Sequence, residues 1–562
     1  MYRLTAVAGI ALWYAGLAAA PGILKTPGEE CGYTRYSQND DIGRFLSQAE
    51  ALAKELTVQV VGRTKDTDEY PGREIFLAVL SDGGAARPQD LDRKKPTLLI
   101  TASQHGNEQS AKEAALWLIR DIALGEMKPL LKRMNVLVIP QANPYGNWFN
   151  GRANESGLDM NRDHVKLEAA GVEAIHRTFR AWMPEVTIDV HEKGDGYYEV
   201  NIGCVSNANI SLVLQDYSRR TILAEVEAAL RKKNITFQEY LVTEEMGSTG
   251  AAGVETAAGA AAPREEYTRY STTDLNDGRN SLGIYETFSF IQEGASRHDL
   301  ETLAARTRWQ YEGLRVFMES VAGHGAEVLK IVRDLRAKLM DKGRDYAADD
   351  LVHLRMEYAR DPGSPTLTLQ QYETAAPPVE GVLKVNKKAG ETFTARDVEP
   401  YRQPAGIKVV IGTVKNWFPL VKPTVSVSRP LGYIIPAKHA DVVETLLRHG
   451  IRVDMLVQDK TVDVEAYEVK EIVPATDDYL APSKIAVEKK ALSAVASRGD
   501  FYVGCGQAAA NLIPCLLEPE SEFGFIRYWK YGLVPRAGDI FAFYRVVKPQ
   551  TLPVAPYKPW PR

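Results

Sequence analysis

The chain has only four cysteines in 562 residues, Cys31, Cys204, Cys505 and Cys515, and none sits in the C-x-x-C spacing by which paired thiolates hold a metal. Cysteine is thereby excluded as a ligand set. Cys505 and Cys515 remain open between a short disulfide loop and free buried thiols. A large excess of charge of one sign is missing as well. A formal net charge of -5 and a pI near 6.1 supply no basic field for nucleic acid, so none is expected as a partner. Beyond the first twenty residues no apolar run is long enough to cross a bilayer. The alanine-rich stretch 251–262 is interrupted by Gly253, Glu255 and Gly259 and reads as a flexible surface segment. No repeat of solenoid or propeller period is present. With 45% hydrophobic and 25% charged residues the composition is that of a soluble globular protein, not a disordered or fibrous one. The length exceeds what one compact core serves, so two or more domains are expected.

What is present begins with Arg3, an uncharged apolar run over 4–20, and a close on Ala18, Ala19 and Ala20. Residues 1–20 are expected to be a signal peptide, which makes the protein exported, periplasmic or secreted, with no stable membrane span once it is removed. An uncleaved anchor is the alternative, because the run approaches spanning length and Pro21 disfavours a cut after Ala20.

Strand-like runs at 96–101, 136–139 and 186–190 each lead into a chemically capable residue: His105, Asn143 and His191. Between the first two, Ala111, Ala114, Ala115, Leu118, Ile119 and Ile122 recur at three- and four-residue steps, the signature of an amphipathic helix. Alternating strands and helices predict an α/β fold, a mixed sheet flanked by helices, with ligands gathered beyond the carboxyl ends of the strands. A long helical pattern over 297–342 closes this domain, expected to span 35–345. A proline-rich linker is expected over 346–380, since Pro362, Pro365, Pro377 and Pro378 disfavour regular structure. A β-rich accessory domain follows over 381–562. Its runs at 409–414, 425–427, 462–469 and 540–547 are rich in β-branched and aromatic residues, and 440–448 patterns as a short helix.

Gln104-His105-Gly106-Asn107-Glu108 places an imidazole and a carboxylate three residues apart where a strand gives way to a helix. Both can face one metal ion. A catalytic zinc typically takes three protein ligands and leaves a fourth position open, and His191 supplies the third, with Asp189 or Glu192 near enough to orient an imidazole. Alone, H-x-x-E is a weak pattern. Downstream the chain reads Asn143-Pro144-Tyr145-Gly146, then Gly151-Arg152-Ala153-Asn154, then Asp159-Met160-Asn161-Arg162. In this order the motifs resemble the zinc metallocarboxypeptidase family, with an H-x-x-E pair, an N-P-x-G turn, an arginine, an Asn-Arg pair, a distal histidine and a late strand-ending glutamate. Val61-Gly62-Arg63 and Gly72-Arg73-Glu74-Ile75 are similar to the family's early hairpin.

The resemblance implies one Zn2+ per chain on His105, Glu108 and His191, and a peptide or protein C-terminus as substrate. It implies Arg152 as the group that stabilises the developing oxyanion, and Asn161 and Arg162 as the grip on the terminal carboxylate. For the general base, Glu293 is preferred to Glu286, because Phe288 to Glu293 is similar to the family's S-F-x-x-E strand ending. Tyr267, Tyr270 and Tyr285 compete for the place of the family's mobile tyrosine. Asp274, Asp277 and Arg279 compete for the base of the specificity pocket. Two other readings stand beside this one: a zinc amide deacylase of the aspartoacylase and succinylglutamate desuccinylase type, which shares the HGNE spelling, and a catalytically inactive peptide-binding module.

Overall fold

The computed structural model of the protein describes residues 24–193, 198–245, 265–295, 300, 302–373 and 408–558; the expected signal segment 1–20, the run 251–262 and the stretch 374–407 lie outside them. The apolar runs of the first half assemble into an eight-stranded sheet. Its strands are β1 (Leu56–Arg63), β2 (Glu74–Leu80), β3 (Thr97–Ala102), β4 (Asn135–Ile139), β5 (Val186–Lys193), β6 (Val200–Cys204), β7 (Phe237–Glu239) and β8 (Phe288–Ala295). They lie side by side in the order β1-β2-β4-β3-β5-β8-β6-β7. The central neighbours β4, β3, β5 and β8 are parallel, whereas β1 with β2, β2 with β4, and β8 with β6 are antiparallel. The sheet is therefore mixed, as the alternation of elements implies.

β3 and β4 are buried along their whole length, which explains why they read as unbroken apolar runs and not as alternating ones. The helix Gln109–Leu124 buries all six of its periodic residues, from Ala111 to Ile122, and Trp117 stacks on Tyr311 of the helix Leu303–Gly323 with ring centroids 4.8 Å apart. The long helical pattern after residue 297 is two helices, Leu303–Gly323 and Gly325–Asp341, broken at His324 between two helix-weakening glycines.

In the second half a seven-stranded antiparallel sheet forms, in the order Lys484–Ala496, Lys460–Val473, Tyr544–Val546, Gly432–Ile435, Phe501–Gly504, Asp454–Leu456, Val554–Pro556. Its longest members, of 14 and 13 residues, are Lys460–Val473 and Lys484–Ala496, which make a hairpin whose connection is 474–483. The helix Ala440–Arg448 forms where the pattern places it. Of the run 540–547 only Tyr544–Val546 is strand, and Ile540 makes an isolated bridge to Glu468. The stretch expected to be a linker contains two strands, Leu351–Ala359 and Leu367–Glu373, paired with Leu420–Ser428 and Lys408–Val414. Pro362 and Pro365 fall in the turn between them, where a missing N–H removes no ladder bond.

The two halves share one core: a single cluster of buried apolar side chains includes Ile42, Phe317, Val443, Leu516 and Phe541. Trp417–Phe418 also pairs with Glu266–Tyr270, so the second half adds a strand to the first. All four cysteines are free thiols, which settles Cys505 and Cys515 against a disulfide; both are buried, and burial pushes each thiol up to about 12. Among the described residues no helix is long and apolar enough to cross a membrane.

Candidate metal centre and substrate cleft

The loop after β3 carries His105, and Glu108 is the N-cap residue of the helix Gln109–Leu124. What holds this loop in place is the Asn143-Pro144-Tyr145-Gly146 turn. Asn143 accepts from the Gly146 N–H at 2.8 Å and donates to the Gln104 carbonyl at 3.0 Å. Gly106 and Gly146 cross there so closely that a Cβ on Gly106 would lie 1.9 Å from the Gly146 carbonyl carbon. No other residue fits at position 106.

His191 lies on β5, and its Nδ1 is 3.1 Å from His105 Nδ1 and 2.8 Å from Glu108 Oε2, while His105 Nδ1 is 2.7 Å from Glu108 Oε1. All three are buried, and one donor atom from each lies within 4.8 Å of the others. Two imidazole nitrogens and a carboxylate aimed at one point are a donor set that fits zinc. The far ring nitrogens are held by carboxylates, which fixes the orientation of each ring. His191 Nε2 donates to Asp189 Oδ2 at 2.6 Å, and His105 Nε2 donates to Asp159 Oδ1 at 3.0 Å. Asp189 is itself held by Thr101 Oγ1 at 2.8 Å and Gln104 Nε2 at 2.6 Å, and Gln104 by His164 Nε2 at 2.9 Å.

Of the two residues open for the role of orienting His191, Asp189 takes it. Side chains alternate along a strand, so Asp189 and His191 share a face and Glu192 points to the other, where it meets Ser110 and Arg306. Burial works against charge at all these positions. Even so, Asp189 and Glu108 keep His191 well above the usual histidine range, and His105 and Arg152 hold Asp159 far below the usual carboxylate range.

Glu293 is brought to the same place by sheet register: on β8 it lies directly beside His191 of β5. It is buried, and burial raises its carboxyl above the usual range with His191 opposing. Tyr240 lies near it: burial first, and then the Glu293 charge, push its phenol well above the usual tyrosine range. Glu286 lies elsewhere, in a left-handed residue before β8 (φ 54°), accepting from Ser211 N at 3.2 Å.

Arg152 donates from Nε to Asp159 Oδ2 at 2.8 Å, and its Nη1 is 3.8 Å from Glu108. Asn161 is oriented by the Gly278 N–H, which donates to its Oδ1 at 2.8 Å. Arg162 donates to the Asn161 carbonyl at 2.7 Å and lines a cavity of about 320 Å³ that Asp159 also borders.

Three tyrosines open in the sequence for the mobile position are engaged elsewhere. Tyr267 donates to Glu244, Tyr270 packs edge-on against Trp417, and Tyr285 is buried and donates to the His449 carbonyl. Tyr240, whose phenol feels the Glu293 charge, carries no local signal; the pairing of β7 with β6 brings it near. Among the pocket candidates, Asp274 is taken by the two terminal guanidinium nitrogens of Arg527, at 2.8 and 3.1 Å, and Asp277 by Arg279 at 3.0 Å.

Residues 44–182 match the family model described as zinc carboxypeptidase. That match covers His105, Glu108, Arg152, Asn161 and Arg162 and ends before His191 and Glu293. Among curated proteins, carboxypeptidase 2 of Trichophyton rubrum is 21% identical over 493 residues, covering 84% of this chain and 81% of that protein. Carboxypeptidase E of Caenorhabditis elegans is 24% identical over 150 residues, 23% of this chain and 31% of that one. Among solved structures, the carboxypeptidase A from Helicoverpa armigera aligns with a TM-score of 0.39 at 13% identity, over 52% of this chain and 75% of that one.

Proposed function

We propose that this chain, whose residues 44–182 match the zinc carboxypeptidase family model, removes the C-terminal residue of a peptide or protein, with one zinc ion held by His105, Glu108 and His191. The observation that carries this reading is the convergence of those three donors with Glu293 alongside them on the neighbouring strand. When bound, zinc lowers the pKa of a water molecule and polarises the scissile carbonyl. Everything else is done by the chain. Glu293 takes the water's proton and delivers it to the departing amine, a role that suits a carboxylate raised by burial toward neutrality. Tyr240, whose phenol stays protonated beside Glu293, is a candidate for positioning that carboxylate.

Arg152 has its Nε committed to Asp159, which leaves the end of the guanidinium to meet negative charge as it develops on the substrate oxygen. Asn161 and Arg162 bind the terminal carboxylate, and that contact places the last peptide bond over the metal and makes the enzyme an exopeptidase. Asp189 and Asp159 are positioning residues, each holding a ligand imidazole.

The test compares a blocked dipeptide bearing a free C-terminus, its C-terminal amide, and an N-acyl amino acid of matched size. The free peptide should be cleaved and the amide should react at least about tenfold more slowly, since a charge-assisted hydrogen bond contributes roughly 1.5 to 3 kcal/mol. Turnover of the acyl amino acid without turnover of the peptide would make the protein a deacylase. A protein that binds zinc and the peptide but turns over neither would be the inactive binding module.

A further inference from the structure

The cavity beside Arg162 is not formed by the catalytic half alone. Its other wall comes from the C-terminal half, where Asp477, Asp478, Tyr479 and Leu480 line it together with Arg527. These four residues sit in the connection of the long hairpin Lys460–Val473/Lys484–Ala496, which therefore reaches across to the loop of the carboxylate-binding Arg162. The contact is built. Arg527 grips Asp274 of the catalytic half with two bonds, accepts from Tyr479 N at its carbonyl (3.1 Å), and donates from Nε to the Tyr479 carbonyl at 2.8 Å. Lys166, on the catalytic side, donates to the Tyr479 hydroxyl at 2.9 Å and lies 4.3 Å from the centre of its ring. Tyr479 is held in the left-handed region at φ 72°, a conformation that a bulky residue adopts only when its surroundings impose it.

We propose that Tyr479 is a specificity-determining residue: it forms the wall against which the side chain of the substrate's last residue packs, so that the C-terminal half completes the substrate site. The inference rests on the carboxypeptidase reading above. A residue whose carboxylate is held by Arg162 has its own side chain one or two bonds away, in the cavity that Arg162 lines. That space, of about 320 Å³, is ample for an aromatic or long aliphatic side chain. Tyr479 lines that space with Leu480 and Leu158, side chains with apolar surface suited to such a group. An acidic terminal side chain would instead face Asp477 and Asp478 and be disfavoured.

The experiment measures kcat and KM for blocked dipeptides ending in Phe, Leu, Gly and Glu. The full chain is compared with Tyr479→Gly, which removes the ring while suiting the positive φ, and with Tyr479→Phe. The native enzyme should prefer Phe and Leu to Gly and Glu. Tyr479→Gly should lower the Phe-to-Gly ratio of kcat/KM by about tenfold, mostly through KM, because apolar pocket contacts discriminate on this scale. Tyr479→Phe, which loses only the bond to Lys166, should restore the ratio. An unchanged ratio in a folded Tyr479→Gly protein overturns the proposal, as does a native preference for Glu or Gly. Should Tyr479→Gly fail to fold, Leu480→Ala in the same wall reads the same ratio and decides in the same way. If no peptide is cleaved by the native protein, the carboxypeptidase reading has failed; if peptides are cleaved and the ratio does not move, only this inference has.

Discussion

Replacing the two carboxylates behind the proposed metal ligands by amides, one at a time, should weaken zinc binding unequally, and the order can be worked out from their surroundings. Asp189 has a side chain 5% exposed, and its Oδ2 accepts from both His191 and Gln104. Asp159 has a side chain 29% exposed and accepts from His105, Arg152 and the Asn161 N–H. Loss of a carboxylate behind a ligating histidine typically costs about 10- to 100-fold in metal affinity, roughly 1.4 to 2.7 kcal/mol. Asp189→Asn belongs at the upper end, because the site is closed to water and the neutral amide either turns its NH2 toward both His191 and Gln104 or keeps its oxygen there and makes Thr101 change from donor to acceptor. Asp159→Asn belongs at the lower end, since solvent takes over part of the lost interaction. It should carry a second effect: an amide nitrogen facing Arg152 Nε sets donor against donor, so Arg152 swings away and kcat falls even at saturating zinc. Competition with a chromogenic chelator at fixed pH gives the two affinities, and turnover at saturating zinc separates the Arg152 effect. The reasoning is refuted if both variants hold zinc as tightly as the native protein, or if Asp159→Asn loses more affinity than Asp189→Asn.

Arg162→Ala should reduce kcat/KM on peptides with a free C-terminus by at least about tenfold, and the loss should not add to that caused by amidating the substrate, because both remove one contact; full additivity in the double comparison would contradict the assignment. Burial lifts Glu286 from the usual 4.5 to about 7, with the Ser211 N–H opposing. The stability it lends is therefore whole below about pH 4.5 and is lost as pH rises through 7, so Glu286→Gln should flatten the decline in Tm across that window while leaving turnover intact. An identical Tm–pH slope in the two proteins would refute this. Gly106→Ala should destabilise the fold by at least ~2 kcal/mol and release zinc, since its Cβ would collide with the Gly146 backbone; a chelator titration and thermal melt indistinguishable from the native protein would contradict the crossing.

Much of the site is legible in the sequence because it is encoded locally. His105 and Glu108 straddle one strand-to-helix turn, and Asn143 to Gly146 declares by its residue types the turn that clamps them. Period-2 alternation even separates Asp189 from Glu192 once β5 is placed. Register does what spacing cannot: Glu293 meets His191 only because β8 lies against β5 in parallel with those residues paired. Tyr240 was beyond reach for the same reason, since the edge pairing of β7 with β6 involves two short strands with no distinguishing pattern. Asp159 stood in the motif as context for Asn161 and Arg162, and its hold on His105 arises from a loop closing over 54 residues. The accessory half reads as separate because a proline-rich stretch precedes it. Its buried contacts with the first half, such as His449 Nε2 on the Val165 carbonyl at 2.8 Å, join residues hundreds of positions apart and leave no trace in composition.

The most direct measurement is of zinc content and peptide products together, for the native protein and for Glu293→Gln. The account predicts that the native protein carries one equivalent of zinc and releases residues only from the C-terminus of a peptide. Glu293→Gln should keep the zinc and lose turnover by on the order of a hundredfold or more, since an amide cannot accept the proton. Cleavage within the peptide or at its N-terminus, or a Glu293→Gln protein as active as the native one, would contradict it.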